Sequence, residues 1–478
     1  MFFCPTPWIE PQTLFRRLAR EPYPFWLDSS LPSGRIGRFS FMGAAPFLVL
    51  RSREGRTELI RGGEVRRIDQ DPLDALAEVL KAHRADAPSE GIPFCGGGVG
   101  YLGYDLGRLF ERLAGRPPDD LGLPDLHVAF YGAAIAFDHE AGHVCVCGPS
   151  GDAVRNLRRQ VEAIAEMTKE TPEDASRVQG SIPLTSSFSR GEYTDAVRRV
   201  KDYIAAGDVY QVNLSQRFLA RLPTDPLALY LRLRRRSPAP FSAYLDLGDA
   251  QILSSSPERF LRVYGRSRTV ETRPIKGTRP RGETGEEDRR LAAELLRSEK
   301  DRAELVMIVD LERNDLGRVC RFGSVRVPAL TVLEPYASVF HLVATVAGEL
   351  APGRGVADLL RATFPGGSIT GAPKLRAMEI IDELEPVSRG PYTGSLGYFS
   401  FSGDADLNIL IRTLIVRENR VCFHAGGGIV ADSDPDAEYE ETLHKARGMM
   451  QALGASTDDG RSRTAARRRR PRASADAG

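Results

Sequence analysis

Short apolar stretches separated by glycine and proline dominate residues 1–150. The stretches FWLDSS, GRFSFMGAAPFLVL, HVAFYGAAIAF and HVCVCG are of this kind, and they predict β-strands. One segment, DPLDALAEVLKAHR, instead places its apolar residues at helical spacing and predicts a helix. No sequence repeat of about 20 to 50 residues is visible, which excludes solenoids and propellers. This part of the chain is therefore expected to be mainly β-structure.

The segment GGGVGYLG places Gly98, Gly100 and Gly103 at the G-x-G-x-x-G spacing of dinucleotide-binding loops. That motif requires an apolar strand before it and a helix start after it, and neither is convincing here. We therefore interpret the segment as a glycine-rich strand that lies against a neighbouring backbone.

A helix and several antiparallel strands are predicted after residue 188. Ser189 and Glu192 form a capping-box pair, apolar residues follow at helical spacing, and Gly207 ends the pattern. The segments VYQVNLSQRF, FSAYLDL and QILSSSPERFLRV then alternate like strands with one buried face. They lead into the segment ETRPIKGTRPRG at residues 271–282.

Lys276 stands near the centre of this segment. Pro274 favours an extended approach, and Gly277 permits a close approach of the chain to something other than protein. A lysine becomes a nucleophile only when it is neutral, which burial or neighbouring cations favour by lowering its pKa. Three nearby arginines are candidates for such neighbours: Arg273, Arg279 and Arg281. The alternative is an exposed lysine on a basic turn.

A helical region is predicted from about residue 286 to residue 316. The part KDRAELVMIVDLERND is apolar on nearly all sides, which is typical of a buried helix. Glu304 lies in it, and a buried carboxylate is unfavourable unless it is paired or bound to a metal. Arg302 is not on the same face, so a cation must come from elsewhere.

The segment FPGGSITGAPKLRAMEIIDELEP predicts a loop that runs into a helix with Pro373 in its first turn. The free backbone N–H groups at such a helix start, with Ser368 and Thr370 nearby, suit an anion such as a carboxylate. A capped helix without a ligand is the alternative.

Two strands, GSLGYFSF and LNILIRTLIV, are predicted next, and Arg412 lies in the apolar run of the second. An arginine among such neighbours is either paired in the core or binds a ligand carboxylate. The strand VCFHAGGGIV then ends in Gly426, Gly427 and Gly428, whose amides are open to a ligand.

In the last predicted helix, Asp434 is the N-cap and Pro435 the first residue. Glu438, Glu441 and Lys445 follow at spacings that place them on one face, where surface ion pairing is the usual explanation. Together with Glu304, however, Glu441 would form a two-carboxylate site for a hard cation that keeps several waters, as Mg²⁺ does.

Composition excludes several classes of function. The chain has 478 residues with 65 basic and 64 acidic side chains, so it has no overall field for nucleic acid or a membrane. No stretch approaches the length of a membrane span. The six cysteines are scattered and form neither a zinc-site nor a disulfide pattern, which favours a reducing cytoplasm.

Several of these segments together resemble one enzyme family. PIKGT, KDRAELVMIVDLERNDLGRV, GSITGAPK, YTGSLGY, AGGGIVADSDP and AEYEETLHKA, in this order, are similar to motifs of the chorismate-utilising enzymes. The similarity is dense from about residue 188 to residue 450 and looser before residue 150, where it rests on WLDSS and GRFSFMG. It implies an α+β fold in which two antiparallel β-sheets stack with helices outside, the first half of the chain completing the second.

The resemblance and the composition divide the chain into four parts. Residues 1–150 form an N-terminal region like that of the anthranilate synthases, and residues 151–187 a connecting segment rich in Ser, Thr and Pro towards its end. Residues 188–452 form the chorismate-binding catalytic region. Residues 453–478 are expected to be a disordered basic tail, because RSRTAARRRRPRASADAG contains seven arginines and no core residues.

The resemblance also implies the roles of individual residues. Lys276, Glu258 and His341 correspond to catalytic positions, with Glu258 as the general acid and base. The positions that correspond to substrate contacts are Gly277, Thr278, Ser368, Tyr392, Arg412, Gly426, Gly427, Gly428 and Lys445. Mg²⁺ is expected on Glu304 and Glu441, with Glu438 as a further candidate ligand. A tryptophan site, inhibitory or structural, corresponds to Ser29, Pro240, Phe241 and Ser242.

Lys276 indicates which reaction the resemblance implies. Family members that form anthranilate usually have alanine at this position, whereas a lysine in PIKGT is characteristic of members that form 4-amino-4-deoxychorismate, the precursor of p-aminobenzoate and folate. Such members receive ammonia from a glutamine amidotransferase subunit, and no G-x-C-x-G nucleophile turn for that reaction is present here. Chorismate and this subunit are therefore the expected partners; anthranilate formation is the alternative.

Overall fold

The computed structural model describes residues 1–31, 36–86, 91–111, 113, 115–167, 182–336 and 339–455. Its strands are β1 (Phe2–Thr6), β2 (Phe25–Asp28), β3 (Phe39–Gly43), β4 (Leu48–Arg53), β5 (Arg56–Arg61), β6 (Glu64–Ile68), β7 (Gly97–Leu102), β8 (Leu126–Tyr131), β9 (Ala134–Asp138), β10 (His143–Gly148), β11 (Thr185–Ser186), β12 (Gln211–Arg221), β13 (Phe241–Asp246), β14 (Ala250–Ser256), β15 (Arg259–Tyr264), β16 (Thr269–Arg273), β17 (Ile275–Pro280), β18 (Arg326–Pro335), β19 (Val339–Glu349), β20 (Gly371–Ala372), β21 (Ser395–Ser400), β22 (Ala405–Ile409), β23 (Thr413–Arg417) and β24 (Arg420–Ile429).

The helices are α1 (Pro11–Leu18), α2 (Pro72–Ala82), α3 (Gly151–Met167), α4 (Arg190–Ala205), α5 (Pro226–Arg236), α6 (Gly285–Arg297), α7 (Glu299–Gly317), α8 (Val356–Thr363), α9 (Lys374–Leu384) and α10 (Pro435–Leu453). Two short 3₁₀ turns, Tyr104–Leu109 and Gly367–Ile369, complete the regular structure of the described ranges. None of these helices is both long enough and apolar enough to cross a bilayer.

The strands form two sheets of twelve strands each, which we call sheet 1 and sheet 2. The order in sheet 1 is β1-β10-β9-β3-β2-β13-β14-β23-β24-β12-β11, with β20 paired to β12. The order in sheet 2 is β17-β19-β16-β15-β22-β21-β7-β8-β4-β5-β6, with β18 paired to β19. Neighbouring strands are antiparallel. The α+β fold of two large antiparallel sheets flanked by helices, implied by the family resemblance, is confirmed.

Apolar side chains fill the space between the sheets and the space between each sheet and its helices. One cluster joins side chains of the two sheets, for example Phe25 and Ile252 with Val99 and Ala129. A second covers sheet 1 with α1, α3, α5 and α10, and a third covers sheet 2 with α2, α7 and α8. The molecule is therefore layered as helices, sheet, sheet and helices, with apolar side chains packed between the layers.

Residues 1–150 contribute five strands to each sheet. Sheet 1 receives β1–β3, β9 and β10, and sheet 2 receives β4–β8. The junctions with the later part of the chain are the pairings β2 with β13 and β7 with β21, for example Leu27 opposite Ala243 and Val99 opposite Tyr398. Both sheets are thus built jointly by the two parts of the chain.

The glycine-rich segment is a central strand, as predicted. A Cβ atom on Gly100 would lie 2.0 Å from the His127 carbonyl oxygen, and one on Gly98 would lie 2.6 Å from Val128. Both distances are shorter than van der Waals contact allows. The spacing that resembles a dinucleotide loop therefore reflects the close approach of β7 to β8.

The predicted helix starts at residues 189 and 434 are confirmed. Ser189 and Glu192 form a complete capping box at α4, and the Asp434 side chain caps α10 with Pro435 at its start. Pro373, predicted in a first helical turn, is instead the N-cap of α9. The short helix α1 was not predicted, since it has no side-chain cap and only eight residues.

The predicted helical region around residues 286–316 is divided into α6 and α7 at Ser298, whose side chain accepts a hydrogen bond from Asp301 N–H and caps α7. The expectation that α7 is buried on nearly all sides is wrong. Leu305, Ile308 and Val309 are buried, but Val306 is 42% exposed, so the helix has a solvent face.

The segment LNILIRTLIV is not one strand. It forms the end of β22 in sheet 2 and most of β23 in sheet 1, and the chain crosses between the sheets at Ile411 and Arg412. Arg412 has φ of +50°, a left-handed conformation that is unfavourable for a residue with a side chain. The continuous apolar pattern conceals this crossing, because both strands are buried.

Part of the connecting segment and nearly all of the predicted tail fall outside the described residues. The connecting segment begins with α3, and residues 168–181 and 456–478 are not described.

A buried ion pair links several of these elements. The guanidinium of Arg389 donates to both carboxylate oxygens of Glu385, at 2.9 and 2.7 Å, and to the carbonyl oxygens of Asn213 and Ile369. Glu385 also accepts hydrogen bonds from Ser215 of β12. Both charged side chains are at most 2% exposed. The pair thus joins β12 to the turn before β20 and to the chain before β21.

We expect Arg389→Met to lower the free energy of unfolding by about 3–5 kcal/mol, because it leaves the Glu385 carboxylate buried without its cation. Urea denaturation followed by circular dichroism measures this change. Arg313→Gln, which breaks an exposed pair with Asp310, is the control and should have a much smaller effect. Equal effects of the two substitutions would contradict this account of the pair.

Candidate active site

Lys276 is the second residue of β17, an edge strand of sheet 2 that pairs with β19. The register shifts between Lys276 and Thr278, so a bulge lies at Gly277, which has φ of +74°. A bulge of this kind redirects neighbouring side chains. A Cβ atom at Gly277 would lie 2.9 Å from Leu295 and 3.0 Å from Asp301, so the glycine makes room for α6 and the start of α7.

Burial lowers the pKa of Lys276, and the positive charge of Lys445 lowers it further. Glu304, Glu258 and Glu441 act in the opposite direction, with Glu304 the strongest of them. Lys276 therefore lies among three carboxylates and a second lysine.

The expectation that the arginines of the same segment lower the pKa of Lys276 is wrong. These side chains are paired with acidic residues outside the site: Arg273 with Glu334, Arg279 with Glu294, and Arg281 with Asp288.

Glu258 lies in the loop between β14 and β15 and is 6% exposed. The Ser368 hydroxyl donates a hydrogen bond of 2.7 Å to Glu258 Oε1, and the Ile275 N–H provides a second one. Burial raises the pKa of the Glu258 carboxyl, while Ser368 and the charge of Lys276 oppose the rise. Because Ile275 precedes Lys276, the carboxyl lies beside the base of the lysine side chain. Burial therefore acts in the direction that a general acid requires.

His341 lies on β19 opposite Thr278, whose hydroxyl is 2.9 Å from His341 Nδ1. The other ring nitrogen, Nε2, is buried and has no hydrogen-bond partner among the described residues. Burial, with a contribution from the charge of Arg412, lowers the pKa of His341 to about 3. The imidazole is therefore neutral at physiological pH and leaves Nε2 available to a ligand.

Arg412 lies at the crossing between the sheets, within electrostatic range of His341 and Glu258. Burial lowers the pKa of its guanidinium, and Glu258 is the acidic group that opposes this effect. Within the described ranges, no carboxylate lies at ion-pair distance from Arg412. The sequence left two interpretations of Arg412, an ion pair in the core and a contact with a ligand carboxylate. The described residues show no such ion pair, and a ligand carboxylate would supply the counter-charge.

The acidic face of α10 lies against the glycines of β24. Lys445 Nζ is 2.6 Å from Glu441 Oε1 and donates to the Gly426 carbonyl oxygen at 2.9 Å. A Cβ atom at Gly427 would lie 3.1 Å from Glu438, 3.4 Å from Glu441 and 3.6 Å from Lys445. A side chain at position 427 would therefore press on Glu438 and touch Glu441 and Lys445.

The prediction of a strand that ends in three glycines is confirmed, because Gly426–Gly428 lie in the last part of β24, just before Ile429, and pair with β12. On the opposite edge, β23 pairs with β24 only as far as Cys422. In the described structure this edge of the three glycines therefore has no strand partner, and their outward-facing amides remain open to a ligand.

A magnesium ion was expected on Glu304 and Glu441, with Glu438 as a third ligand. The described residues contain no group of three or more His, Cys, Asp or Glu side chains placed to surround one metal ion. Glu438 accepts a hydrogen bond of 2.6 Å from Ser433, and Glu441 is paired with Lys445.

Two carboxylates nevertheless suit an ion that keeps several waters. Burial raises the pKa of Glu304, the charges of Lys276 and Lys300 oppose the rise, and those of Asp301 and Glu441 add to it. A bound cation would relieve the repulsion between Glu304 and Glu441, so these two carboxylates fit Mg²⁺ as a donor pair.

Tyr392 is buried beside this site rather than exposed to it. Its ring stacks on His424 with centroids 4.8 Å apart, and its hydroxyl interacts with Ser215, the residue opposite Gly426 in the sheet.

Three side chains near the site were not predicted. Gln211 is fully buried next to Gly428 and neither its carboxamide oxygen nor its nitrogen has a partner in the described structure. Glu312 lies behind the turn that holds Ser368. Lys300 is 3.9 Å from Glu304 and supplies the cation that sequence analysis sought. The alternating pattern of β12 assigns Gln211 to the polar face, whereas both faces of this strand are buried, and no local signal identifies the other two.

The four residues proposed for tryptophan line a separate cavity. Ser29, Pro240, Phe241 and Ser242 surround a space of about 280 Å³ between the two sheets. Its lining also includes the aromatic residues Phe39, Phe41 and Tyr398 and the charged residues Arg259, Arg262 and Asp406. None of the residues around Lys276 takes part in it.

Comparisons with known proteins agree with this arrangement. Residues 24–451 match the family described as chorismate binding enzyme. The chain is 44% identical to anthranilate synthase component 1 of Thermus thermophilus over 93% of this chain and 95% of that one. It is 41% identical to aminodeoxychorismate synthase component 1 of Bacillus subtilis over 90% and 92%. The crystal structure of anthranilate synthase component I from Streptococcus pneumoniae superposes with a TM-score of 0.76, at 36% identity over 88% and 93%.

Proposed function

The chain belongs to the chorismate-binding enzyme family, and from this we propose that it is component I of an aminodeoxychorismate synthase, which converts chorismate and ammonia into 4-amino-4-deoxychorismate. Relatives named for this activity and for anthranilate synthesis are similarly close in sequence. Component I of an anthranilate synthase is therefore the second candidate, favoured by the relative with 44% identity.

The observation that carries the proposal is the position of Lys276. Its side chain lies beside Glu258, a carboxyl whose pKa is raised by burial, and burial lowers the pKa of Lys276 and so favours the neutral amine that a nucleophile requires. A lysine with only a binding role would not need a lowered pKa or a neighbouring acid.

In the first half of the proposed reaction, the Lys276 amine attacks C2 of chorismate. A C2–N bond forms, the ring double bonds shift, and the bond between C4 and its hydroxyl breaks. Glu258 donates a proton to the departing oxygen, which leaves as water. Ser368 holds the Glu258 carboxyl in place for this transfer.

In the second half, ammonia attacks C4 and a C4–N bond forms. The double bonds shift back, and the C2–N bond breaks to release Lys276. Glu258 recovers a proton from the new ammonium group, so the net change is loss of water and gain of an amino group. The enolpyruvyl group stays intact, because no step breaks a bond to it.

The remaining groups orient the substrate. We propose that Arg412 and the open amides of Gly426–Gly428 bind its carboxylates, and that the neutral His341 lies near the ring. Glu304 and Glu441 would hold Mg²⁺, which when bound would neutralise a substrate carboxylate and fix its position.

Ammonia is proposed to come from a glutamine amidotransferase subunit. The relatives are named as component 1, which implies a second component. No disulfide joins any of the six cysteines, all of which lie in the described ranges, and this supports the proposed reducing, cytoplasmic location. The product is proposed to serve p-aminobenzoate and folate synthesis.

Incubation with chorismate, Mg²⁺ and ammonium salt should give 4-amino-4-deoxychorismate, because ammonia can reach C4 without the second subunit. Chromatography with mass detection identifies the product, and aminodeoxychorismate lyase added to half of the sample should convert it to p-aminobenzoate. Glutamine in place of ammonium is the control and should support no turnover by this chain alone. Anthranilate as the product would establish the second candidate instead.

With chorismate but no ammonia, intact-protein mass spectrometry should detect an adduct of one chorismate less one water on Lys276. Lys276→Ala should remove the adduct and lower kcat by on the order of 10³-fold or more, because the covalent step is lost. Lys81→Met, on α2, is the matched control and should retain the adduct. An unmodified lysine in a preparation with confirmed turnover would exclude the covalent route.

We also propose that the cavity around Ser29 and Phe241 binds tryptophan. The cavity combines aromatic walls for an indole ring with Arg259 and Arg262 near Asp406, a mixed set of charges that suits an amino acid. The hydroxyl groups of Ser30 and Ser242 are close by, 2.8 Å apart and each within hydrogen-bond distance of the Ala239 carbonyl oxygen.

Isothermal titration calorimetry should detect binding of L-tryptophan, and Ser242→Phe should abolish it by filling the cavity. The variant should keep its turnover in the absence of tryptophan, since the cavity is separate from the Lys276 site. Tryptophan that also slows the wild-type enzyme would indicate feedback, and binding without an effect on turnover would indicate a structural role. No binding to the wild-type protein would contradict the proposal.

A further inference from the structure

Glu312 is a buried carboxyl that the proposed reaction does not use. It lies on α7, two turns after Glu304, and is 2% exposed. Its Oε2 atom has no hydrogen-bond partner among the described residues. An ionisable group in this position is unfavourable for folding, so its presence requires an explanation.

One side of Glu312 contacts the turn that holds Ser368. A Cβ atom on Gly367 would lie 3.5 Å from Glu312 Oε1, and the Gly367 N–H donates a hydrogen bond to this carboxyl. The next residue, Ser368, donates its hydroxyl hydrogen bond to Glu258. Consecutive residues of one short turn thus contact two buried carboxyls, one at the reacting centre and one behind it.

The charged groups around Glu312 come from three elements. Asp315, on the next turn of α7, and Glu258 repel a negative charge at Glu312, and Lys374 of α9 attracts it. Lys374 is already occupied, since its Nζ atom donates to Asp315 at 2.6 Å and to the Thr363 carbonyl oxygen at 2.9 Å. No free cation among these groups is left to balance Glu312.

Burial, with the charge of Asp315 as the next contribution, raises the pKa of Glu312 from its ordinary value of 4.5 to about 8. The carboxyl is therefore neutral in the folded protein at pH 7. When Glu312 ionises, its negative charge appears next to the turn and close to Asp315 and Glu258. An ionised carboxylate in such surroundings is strongly driven towards water, which disturbs the packing against Gly367.

We propose that Glu312 is a positioning residue that acts as a neutral acid, holding the turn at Gly367 so that the Ser368 hydroxyl fixes the carboxyl of Glu258. The inference rests on the proposed role of Glu258 but not on the identity of the product. It can therefore be tested by following consumption of chorismate, whichever aminated product forms.

Glu312→Gln tests the proposal, because glutamine keeps the shape and the acceptor oxygen but cannot ionise. We expect the ratio of the wild-type kcat to the kcat of this variant to fall about tenfold between pH 7 and pH 9. This is the change that loss of one proton with a pKa of about 8 produces. Glu312→Leu removes the acceptor and should lower kcat about 10-fold to 100-fold at pH 7, with little change in KM. Asp310→Asn, on the exposed side of α7, is the matched control and should follow the wild-type profile.

Stability measurements separate positioning from a purely structural role. Between pH 4.5 and pH 8, Glu312 holds a proton in the folded protein that it has lost in the unfolded chain. The free energy of unfolding of the wild type therefore falls over this range relative to that of Glu312→Gln, and the difference stays constant above pH 8. The difference in kcat should instead appear only near pH 8. Identical pH profiles of kcat for the wild type and Glu312→Gln would overturn the proposal, and so would full activity of a folded Glu312→Leu variant.

Discussion

The Lys276 ammonium group is stable in water, and moving it inside the protein costs free energy that the neighbouring groups must control. Three carboxylates, Glu304, Glu258 and Glu441, favour the charged lysine, while burial and Lys445 favour the neutral one. Without Lys445, the carboxylates would favour the ammonium form more strongly. The second lysine, bound to Glu441 and to the Gly426 carbonyl, shifts this balance towards the amine. The chemistry proposed for the site depends on that balance.

The balance of charges around Lys276 requires side chains from several elements to meet at the site. The groups that set the charge come from β17, α7, α10 and the loop before β15, and each of these elements is held by a different contact. The bulge at Gly277, the capped start of α7 at Ser298 and the cap of α10 at Asp434 fix their directions. Arg412 adds to this region a cation without an ion pair among the described residues, and His341 adds a neutral imidazole ring. The result is a region with donors and charges prepared for an anionic ligand before it arrives.

Local sequence signals predicted the local structure well. The capping box at Ser189, the cap at Asp434 and the close approach of the glycine-rich strand follow from residues adjacent in the chain. The crossing at Arg412 was missed because two buried strands of different sheets leave one continuous apolar pattern. The family motifs brought Lys276, Glu258 and Glu441 to attention, whereas Glu312 and Lys300 depend on contacts between distant segments. Such contacts leave no periodic trace, so only the folded structure reveals them.

The sharing of both sheets between the two parts of the chain has a consequence for how the protein is made. During synthesis, β2 and β7 leave the ribosome long before β13 and β21, the strands with which they pair. More than a hundred residues separate these partners, so the first ten strands wait with open edges while the rest is translated. Non-local pairing of this kind slows folding. The N-terminal region holds none of the residues proposed to contact chorismate, yet the two sheets that carry those residues are complete only after its strands have paired with β13 and β21.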